Sequence, residues 1–187
     1  DPTTAEPLAA LAKLYQAAGD WENVVKMKSR RLDVAQDEER YALLLEIGEI
    51  FTNKLNDRTR AAKTYIVALE ERPDDRNILT KLMQLYSEEK DWAKLVDVVL
   101  RLADFVEDPK QRAKYMHTAA IVSHRQLGET DNALALYERA LDFDPTLSKA
   151  LEEAIELRRA KGEHDAVEKL LNLQLEQAKT DGDRTKI

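Results

Sequence analysis

The sequence predicts an all-α fold of stacked helix-turn-helix units, and three observations support this prediction. Similar residues recur about every 72 positions: Trp92 follows Trp21 by 71 positions, and Tyr137 follows Tyr65 by 72. Each copy divides into two similar halves of about 36 residues, the length of two short helices and their turns. Charged residues make up 35% of the chain, with only five glycines and five prolines, and this composition favours helix. A fixed period of this size is typical of a solenoid, in which each unit packs on its neighbours.

Five units of similar length are predicted along the chain. Their approximate ranges are 5–37, 41–73, 76–108, 113–145 and 148–180. Residues 181–187 are expected to begin a truncated sixth unit, because Arg184 repeats the positions of Arg40 and Arg112 at intervals of 72. The first two residues correspond to the end of an earlier unit. We therefore expect a segment of a longer repeat protein, with a double unit of about 72 residues as its natural repeat.

The second unit carries the clearest copy of the repeated pattern. Its residues are Leu44, Ile47, Gly48 and Phe51, then Ala61, Tyr65 and Ala68, and finally Pro73. This pattern resembles the tetratricopeptide repeat (TPR) family. The fourth unit repeats its second half as Ala133, Tyr137, Ala140 and Pro145. First-helix residues that match in the other units are Leu8, Leu11, Ala12 and Tyr15; Leu79, Leu82, Met83 and Tyr86; Met116, Ala119, Ala120 and Ser123; and Leu151, Ala154, Ile155 and Arg158.

Packing explains why these residue types recur. A small residue such as Gly48 lets two helices approach closely, and a large one such as Tyr65 fills the space between them. Pro73 ends the second helix because proline lacks a backbone N–H and clashes with the preceding turn. Asp91 and Asp131 precede the second helices of their units and are expected to cap them. The aromatic residues of the pattern are therefore interpreted as core and not as part of a cofactor site.

The resemblance implies a right-handed α-solenoid of about five TPR-like units, in which the first helix of each unit lines a concave groove. It also implies a protein–protein interaction scaffold that binds a partner peptide or domain through the concave groove or the convex face. Two alternatives remain open. One is a structural element that stacks end to end or oligomerises through uncapped repeat faces. The other is an RNA-binding helical repeat.

Composition restricts the partners. The net charge of −7 and a pI of about 5.2 disfavour RNA and DNA, which attract clustered lysine and arginine. No stretch approaches the roughly 18 apolar residues that a membrane span requires, so no membrane partner is expected. Cysteine is absent, which excludes disulfides and thiolate sites. The compartment stays open between the cytoplasm, which is slightly favoured, and the periplasm.

Patterns typical of catalysis or metal binding are missing from the sequence. His117 and His124 lie seven positions apart, whereas two ligands of one metal on a helix are three or four apart. Acidic pairs such as Glu152-Glu153 point in directions about 100° apart and are interpreted as a solvated helix face. No phosphate-binding loop or nucleophile motif is present. We therefore expect a protein that is not an enzyme and has no metal, cofactor or catalytic residues.

The fourth and fifth units concentrate basic and titratable residues at positions expected to face the groove. The candidate peptide-binding residues are Lys114, His117, His124, Arg125, Lys149 and Arg159. Lysine and arginine recognise carboxylates through charge-assisted hydrogen bonds, so an acidic peptide is the expected ligand. The competing interpretation is that these side chains only decorate a solvated surface.

Overall fold

The computed structural model describes the backbone of residues 5–184 and the side chains of residues 6–176. Regular secondary structure in this part of the chain is entirely α-helical. The helices are α1 (Ala5–Ala17), α2 (Trp21–Leu32), α3 (Asp37–Asn53), α4 (Arg58–Glu71), α5 (Arg76–Glu89), α6 (Trp92–Asp104), α7 (Pro109–Arg125), α8 (Thr130–Phe143), α9 (Ser148–Ala160) and α10 (His164–Arg184).

The chain forms two compact bodies that divide between Glu89 and Lys90. The N-terminal body contains α1 to α5, and the C-terminal body contains α6 to α10. Within each body every helix packs against the next one in the chain. The connections inside each body are only three or four residues long, so successive helices run antiparallel.

The core of each body is built around the second helix of an even unit. In α4, Ala61 and Ala68 are fully buried, and Tyr65 between them is 1% exposed. In α8, Ala133, Tyr137 and Ala140 are all fully buried. Both helices end two residues before a proline, as the sequence pattern predicts.

The closest approach in the N-terminal body joins α3 to α4. A Cβ atom placed on Gly48 would lie 2.4 Å from Cε1 of Tyr65. Only glycine therefore fits at this position while the tyrosine ring keeps its place. At the corresponding position of the C-terminal body, Ala120 is also fully buried.

Two arginines spaced 72 residues apart, Arg40 and Arg112, each form a hydrogen bond with the last turn of the preceding helix. Arg40 of α3 donates from Nη1 to the carbonyl oxygen of Leu32 at the end of α2, over 2.9 Å. Arg112 of α7 donates from Nε to the carbonyl oxygen of Ala103 in α6, over 3.1 Å. These carbonyls belong to the last turn of a helix and have no partner within it. The recurrence of this arginine is therefore explained by C-terminal capping.

The N-termini of the second helices are capped mainly by aspartate. Asp20 accepts from the backbone N–H of Asn23, and Asp91 accepts from that of Lys94. The expected cap at Asp131 is wrong, because α8 begins at Thr130 and its N-cap position is Glu129, two residues before Asp131. Asp131 instead pairs with Lys161, with Oδ1 and Nζ 2.5 Å apart.

In the first, third and fifth units, the turn before the second helix contains a residue with left-handed backbone geometry. Gly19 and Gly162 supply it with φ of 74° and 73°, values that glycine adopts without steric cost. Lys90 occupies the same place with φ of 57°. A non-glycine residue is strained in this conformation by about 1 kcal/mol. The turn geometry is thus kept even where the glycine is not.

The predicted all-α fold class is confirmed within residues 5–184. The unit boundaries stay a prediction. The division between Glu89 and Lys90 falls inside the predicted third unit, 76–108, and α10 continues to Arg184 across the predicted start of a sixth unit. Residues 185–187 of that sixth unit lie outside the described residues, as do residues 1–4.

We predict that Gly48→Ala destabilises the protein. Overpacking against the buried Tyr65 ring costs about 1–3 kcal/mol, which exceeds the gain of about 1 kcal/mol from replacing glycine by alanine in a helix. Urea unfolding should show a free energy of unfolding lower by about 1–2 kcal/mol. In a Tyr65→Leu background the same change should stabilise, because the ring is gone. Equal stability of Gly48→Ala and the parent chain would contradict the proposed close packing.

Candidate binding surface of the C-terminal body

His117 lies on α7 with its ring against Tyr137 of α8. The two ring centroids are 5.7 Å apart, and the planes are inclined at 51°. The Nε2 atom of His117 is buried and has no hydrogen-bond partner among the described residues. The tyrosine ring is fixed by its burial between α7 and α8, so it holds the imidazole at the surface of α7.

Glu153 of α9 is the centre of the surrounding polar contacts. The Tyr137 hydroxyl donates a hydrogen bond to Oε2 of Glu153, and Nη2 of Arg125 lies 2.9 Å from Oε1 of the same carboxylate. The Glu153 side chain is 25% exposed, whereas that of Arg125 is 60% exposed. The carboxylate therefore links α7, α8 and α9 while the guanidinium remains largely open to solvent.

Burial and neighbouring charges shift the protonation equilibria of this cluster. Burial lowers the pKa of His117, and the positive charges of Lys149 and Arg125 lower it further, while Glu153 acts in the opposite direction. Burial is also the main cause of the raised pKa of Tyr137, followed by its hydrogen bond to Glu153. His117 is therefore held neutral above its lowered pKa, and Tyr137 remains a hydrogen-bond donor.

The structure brings together three of the six candidate residues. Arg125 pairs with Glu153, and the charges of Arg125, Lys149 and Glu153 all act on the pKa of His117. Lys114 of α7 and Arg159 of α9 are exposed, and their side chains form no hydrogen bond or ion pair with the described residues. His124 is separate from this cluster, since its Nδ1 lies 3.4 Å from Oγ1 of Thr130 at the start of α8.

The two residues that organise the surface are not among the six predicted from the sequence. The sequence pattern indicates a solvated helix face for Glu153 and a core position for Tyr137. Tyr137 is indeed fully buried, but its hydroxyl reaches Glu153 at the edge of the core. A signal was present in the internal repeat: the residue 72 positions before Glu153 is Lys81, so the charge next to the repeated tyrosine reverses.

The described residues contain no group of three or more His, Cys, Asp or Glu side chains that could hold a metal ion. None of the helices in residues 5–184 combines the length and the apolar character needed to cross a membrane. The chemistry of the candidate surface is therefore that of charged and hydrogen-bonding side chains, suited to contact with another molecule.

Short antiparallel helix pairs that repeat along the chain define a helical-repeat protein. A sequence profile of the tetratricopeptide repeat family matches residues 8–40 and 120–149. The second match covers the end of α7, all of α8 and the start of α9. The resemblance to this family is thus confirmed, because these two segments are similar to tetratricopeptide repeats.

Solved structures with similar folds include proteins named MamA. One MamA crystal structure is 16% identical, with a TM-score of 0.50, and the match covers 92% of this chain and 97% of that one. A second is 15% identical with a TM-score of 0.50, covering 97% and 95%. A tetratricopeptide repeat protein from Parabacteroides merdae is 20% identical with a TM-score of 0.49, covering 93% and 67%. At these identities the likeness concerns the fold. No curated protein sequence is significantly similar to this chain.

We predict that His117 makes stability depend on pH. Its folded-state pKa lies below the ordinary value near 6.5, so the unfolded chain binds the proton more readily. The stability that the protein gains from keeping His117 neutral is complete above pH 6.5. It is lost as the pH falls through the lowered folded-state pKa of His117. Urea unfolding between pH 7.5 and 5.5 should show a smaller loss of stability for His117→Gln than for the parent chain. His164→Gln, a change at an exposed histidine, is the control. A pH-independent difference between His117→Gln and the parent would refute the prediction.

Proposed function

We propose that this protein is an interaction scaffold, and that the surface formed by α7 and α9 binds an acidic segment of a partner protein. The observation that supports the proposal is the ion pair of Arg125 with Glu153 beside His117, whose pKa is also lowered by the charge of Lys149. Lys114 and Arg159 extend the positive character along the same two helices. This is a binding role, and no catalytic step is assigned to the chain.

Arg125 is the residue best suited to contact the ligand. A guanidinium has five N–H donors, and Glu153 occupies only part of them. The side chain is 60% exposed, so a second carboxylate can approach it without displacing Glu153. Because Glu153 is itself bonded to the buried Tyr137, the guanidinium is partly oriented before the ligand arrives, which lowers the entropic cost of binding.

Lys149 gives the site its second positive charge. It lies on α9 near His117, and both it and Arg125 lower the pKa of that histidine. Two cations on different helices favour a segment with two carboxylates over a single acidic residue. Glu152 and Glu156 are also exposed on α9, and Glu152 lies about one turn from Lys149. The acidic segment is therefore expected to contact Lys149 and Arg125 on the side away from these glutamates.

Charge reversal should abolish recognition of acidic peptides. In a fluorescence polarisation assay with a peptide-array hit rich in Asp and Glu, Arg125→Glu and Lys149→Glu are each expected to weaken binding at least tenfold, about 1.4 kcal/mol. Lys114→Glu and Arg159→Glu should have smaller effects. Arg139→Glu makes the same charge change on an exposed residue of α8 and serves as the control.

Two results would reject this function. One is an array on which acidic segments bind no better than neutral ones. The other is equal binding by Arg125→Glu, Lys149→Glu and Arg139→Glu, which would show that the basic residues only decorate a solvated surface.

Exposed leucines favour self-assembly as a second candidate function. On α1, Leu11 and Leu14 are 39% and 68% exposed. The residues at the same repeat positions on α5, Leu82 and Leu85, are 1% and 3% exposed. Residues that are core in one copy of the repeat are thus open to a partner in another.

The same contrast occurs on α10. Leu171 and Leu175 are 41% and 54% exposed, whereas Val99 and Ala103, 72 positions earlier on α6, are 1% and 0% exposed. The α6 residues belong to a helix that packs against α7. The leucines of α10 therefore present a helix-docking face of the same kind.

If these leucines mediate assembly, sedimentation velocity should show species larger than the monomer as the protein concentration rises. A range from about 1 to 200 μM covers dissociation constants typical of weak association. Leu14→Lys and Leu175→Lys should each shift the protein towards the monomer. Val34→Lys changes another exposed apolar residue and should leave the distribution unchanged. A monomer at all concentrations would reject assembly by this chain.

A further inference from the structure

The N-terminal body contains a small cavity between α3, α4 and α5. Its volume is about 140 Å³. Cavities that bind cofactors or drug-sized molecules measure roughly 300–1,000 Å³. This cavity is therefore suited to a single side chain of a partner and not to a larger molecule.

Neutral hydrogen-bonding groups line part of the cavity, with the buried Tyr65 on its inner side and the exposed Asn53 and Gln84 on its open side. Tyr65 is 1% exposed, and burial raises the pKa of its hydroxyl while contact with Thr52 partly opposes that rise. Thr52 also donates from Oγ1 to the carbonyl oxygen of Gly48, over 2.9 Å. Asn53 of α3 and Gln84 of α5 add two carboxamides. The Asn53 side chain forms no hydrogen bond with any described residue.

The charged residues at the cavity are already paired. Nζ of Lys81 lies 3.1 Å from Oε1 of Glu49, and Nε of Arg58 lies 2.7 Å from Oε2 of Glu88. Nε2 of Gln84 donates to the other oxygen of Glu88, over 3.0 Å. The carbonyl oxygen of the Gln84 side chain stays available as an acceptor. The positive and negative charges around the cavity therefore largely cancel.

The corresponding place in the C-terminal body is organised differently. There the residue that follows Lys81 by 72 positions is Glu153, which accepts the hydroxyl hydrogen of Tyr137 and pairs with Arg125. Lysine has no acceptor, so Lys81 cannot bind the Tyr65 hydroxyl in this way. It turns to Glu49 instead. The repeated tyrosine thus contacts an ionic cluster in one body, whereas in the other it lines a cavity whose charged residues are paired elsewhere.

We propose that this cavity binds the carboxamide side chain of a glutamine or asparagine from a partner polypeptide. A carboxamide has both a donor and an acceptor, which match the Gln84 carbonyl and the Asn53 amide. A carboxylate or ammonium gains little where Lys81–Glu49 and Arg58–Glu88 are already paired. An apolar side chain leaves the Asn53 carboxamide and the Gln84 carbonyl oxygen without partners, and unpaired polar groups are costly when covered. The site lies in the other body from the acidic-peptide surface and takes uncharged ligands, so it goes beyond that function.

Capped amino acids test the ligand class directly. The probes are N-acetyl-glutamine methylamide and its glutamate, lysine and leucine counterparts, titrated into the labelled full chain and followed by NMR at the side-chain amides of Asn53 and Gln84. The glutamine probe is expected to shift both signals and to bind at least threefold more tightly than the other three. Equal affinity for all four probes, tighter binding of any of the other three, or unchanged Asn53 and Gln84 signals would overturn the proposal.

A pair of matched variants locates the site. Asn53→Leu should weaken binding of the glutamine probe at least threefold. Gln84→Met should have the same effect, and it replaces Asn53→Leu as the test if that variant does not fold. Asn77→Leu makes the same chemical change at an exposed position of α5 outside the cavity and should have no effect. Equal losses in Asn53→Leu and Asn77→Leu would reject the cavity as the site. The glutamine probe carries no acidic group. A failure of this probe to bind the cavity is therefore independent of whether acidic peptides bind the C-terminal body.

Discussion

The contact between a repeated tyrosine and a small residue on the preceding helix is the constraint on which the structure depends. In the N-terminal body Tyr65 packs so closely on Gly48 that no Cβ fits between them. In the C-terminal body the fully buried Tyr137 and Ala120 occupy the same repeat positions. Buried alanines on each side of these tyrosines let the neighbouring helices reach them. Because the ring is fixed, the position of its hydroxyl is fixed as well.

Both candidate sites lie where such a hydroxyl emerges from the core. The residue next to the tyrosine hydroxyl then determines which polar groups are present at the surface. Glu153 accepts from Tyr137 and pairs with Arg125 close to His117. Lys81 cannot accept a hydrogen bond and pairs with Glu49 at the edge of the cavity beside Tyr65. The same packing motif therefore lies beneath two surfaces of different charge, and a single charge reversal separates them.

Exposed ion pairs contribute less than this packing. Pairs such as Arg40–Glu71 and Arg60–Glu22 connect neighbouring helices at the surface. Water and salt screen such pairs, and each typically adds less than 1 kcal/mol. The tyrosine and its alanine neighbours gain far more from burial, since a fully buried large side chain contributes about 1.5–3 kcal/mol. Surface ion pairs in this protein thus contribute less to stability than the buried tyrosines do.

The sequence by itself determined the helices, their approximate order and the tyrosine core, because helical periodicity and a fixed repeat are local patterns that survive in one dimension. It also placed six candidate residues on two first helices: Lys114, His117, His124, Arg125, Lys149 and Arg159. Only the tertiary structure decided that Glu153 joins them, that His124 turns instead to Thr130, and that Asp131 lies inside α8 and pairs with Lys161. Those outcomes depend on which side chains meet across helices, and spacing along one chain does not specify such distances.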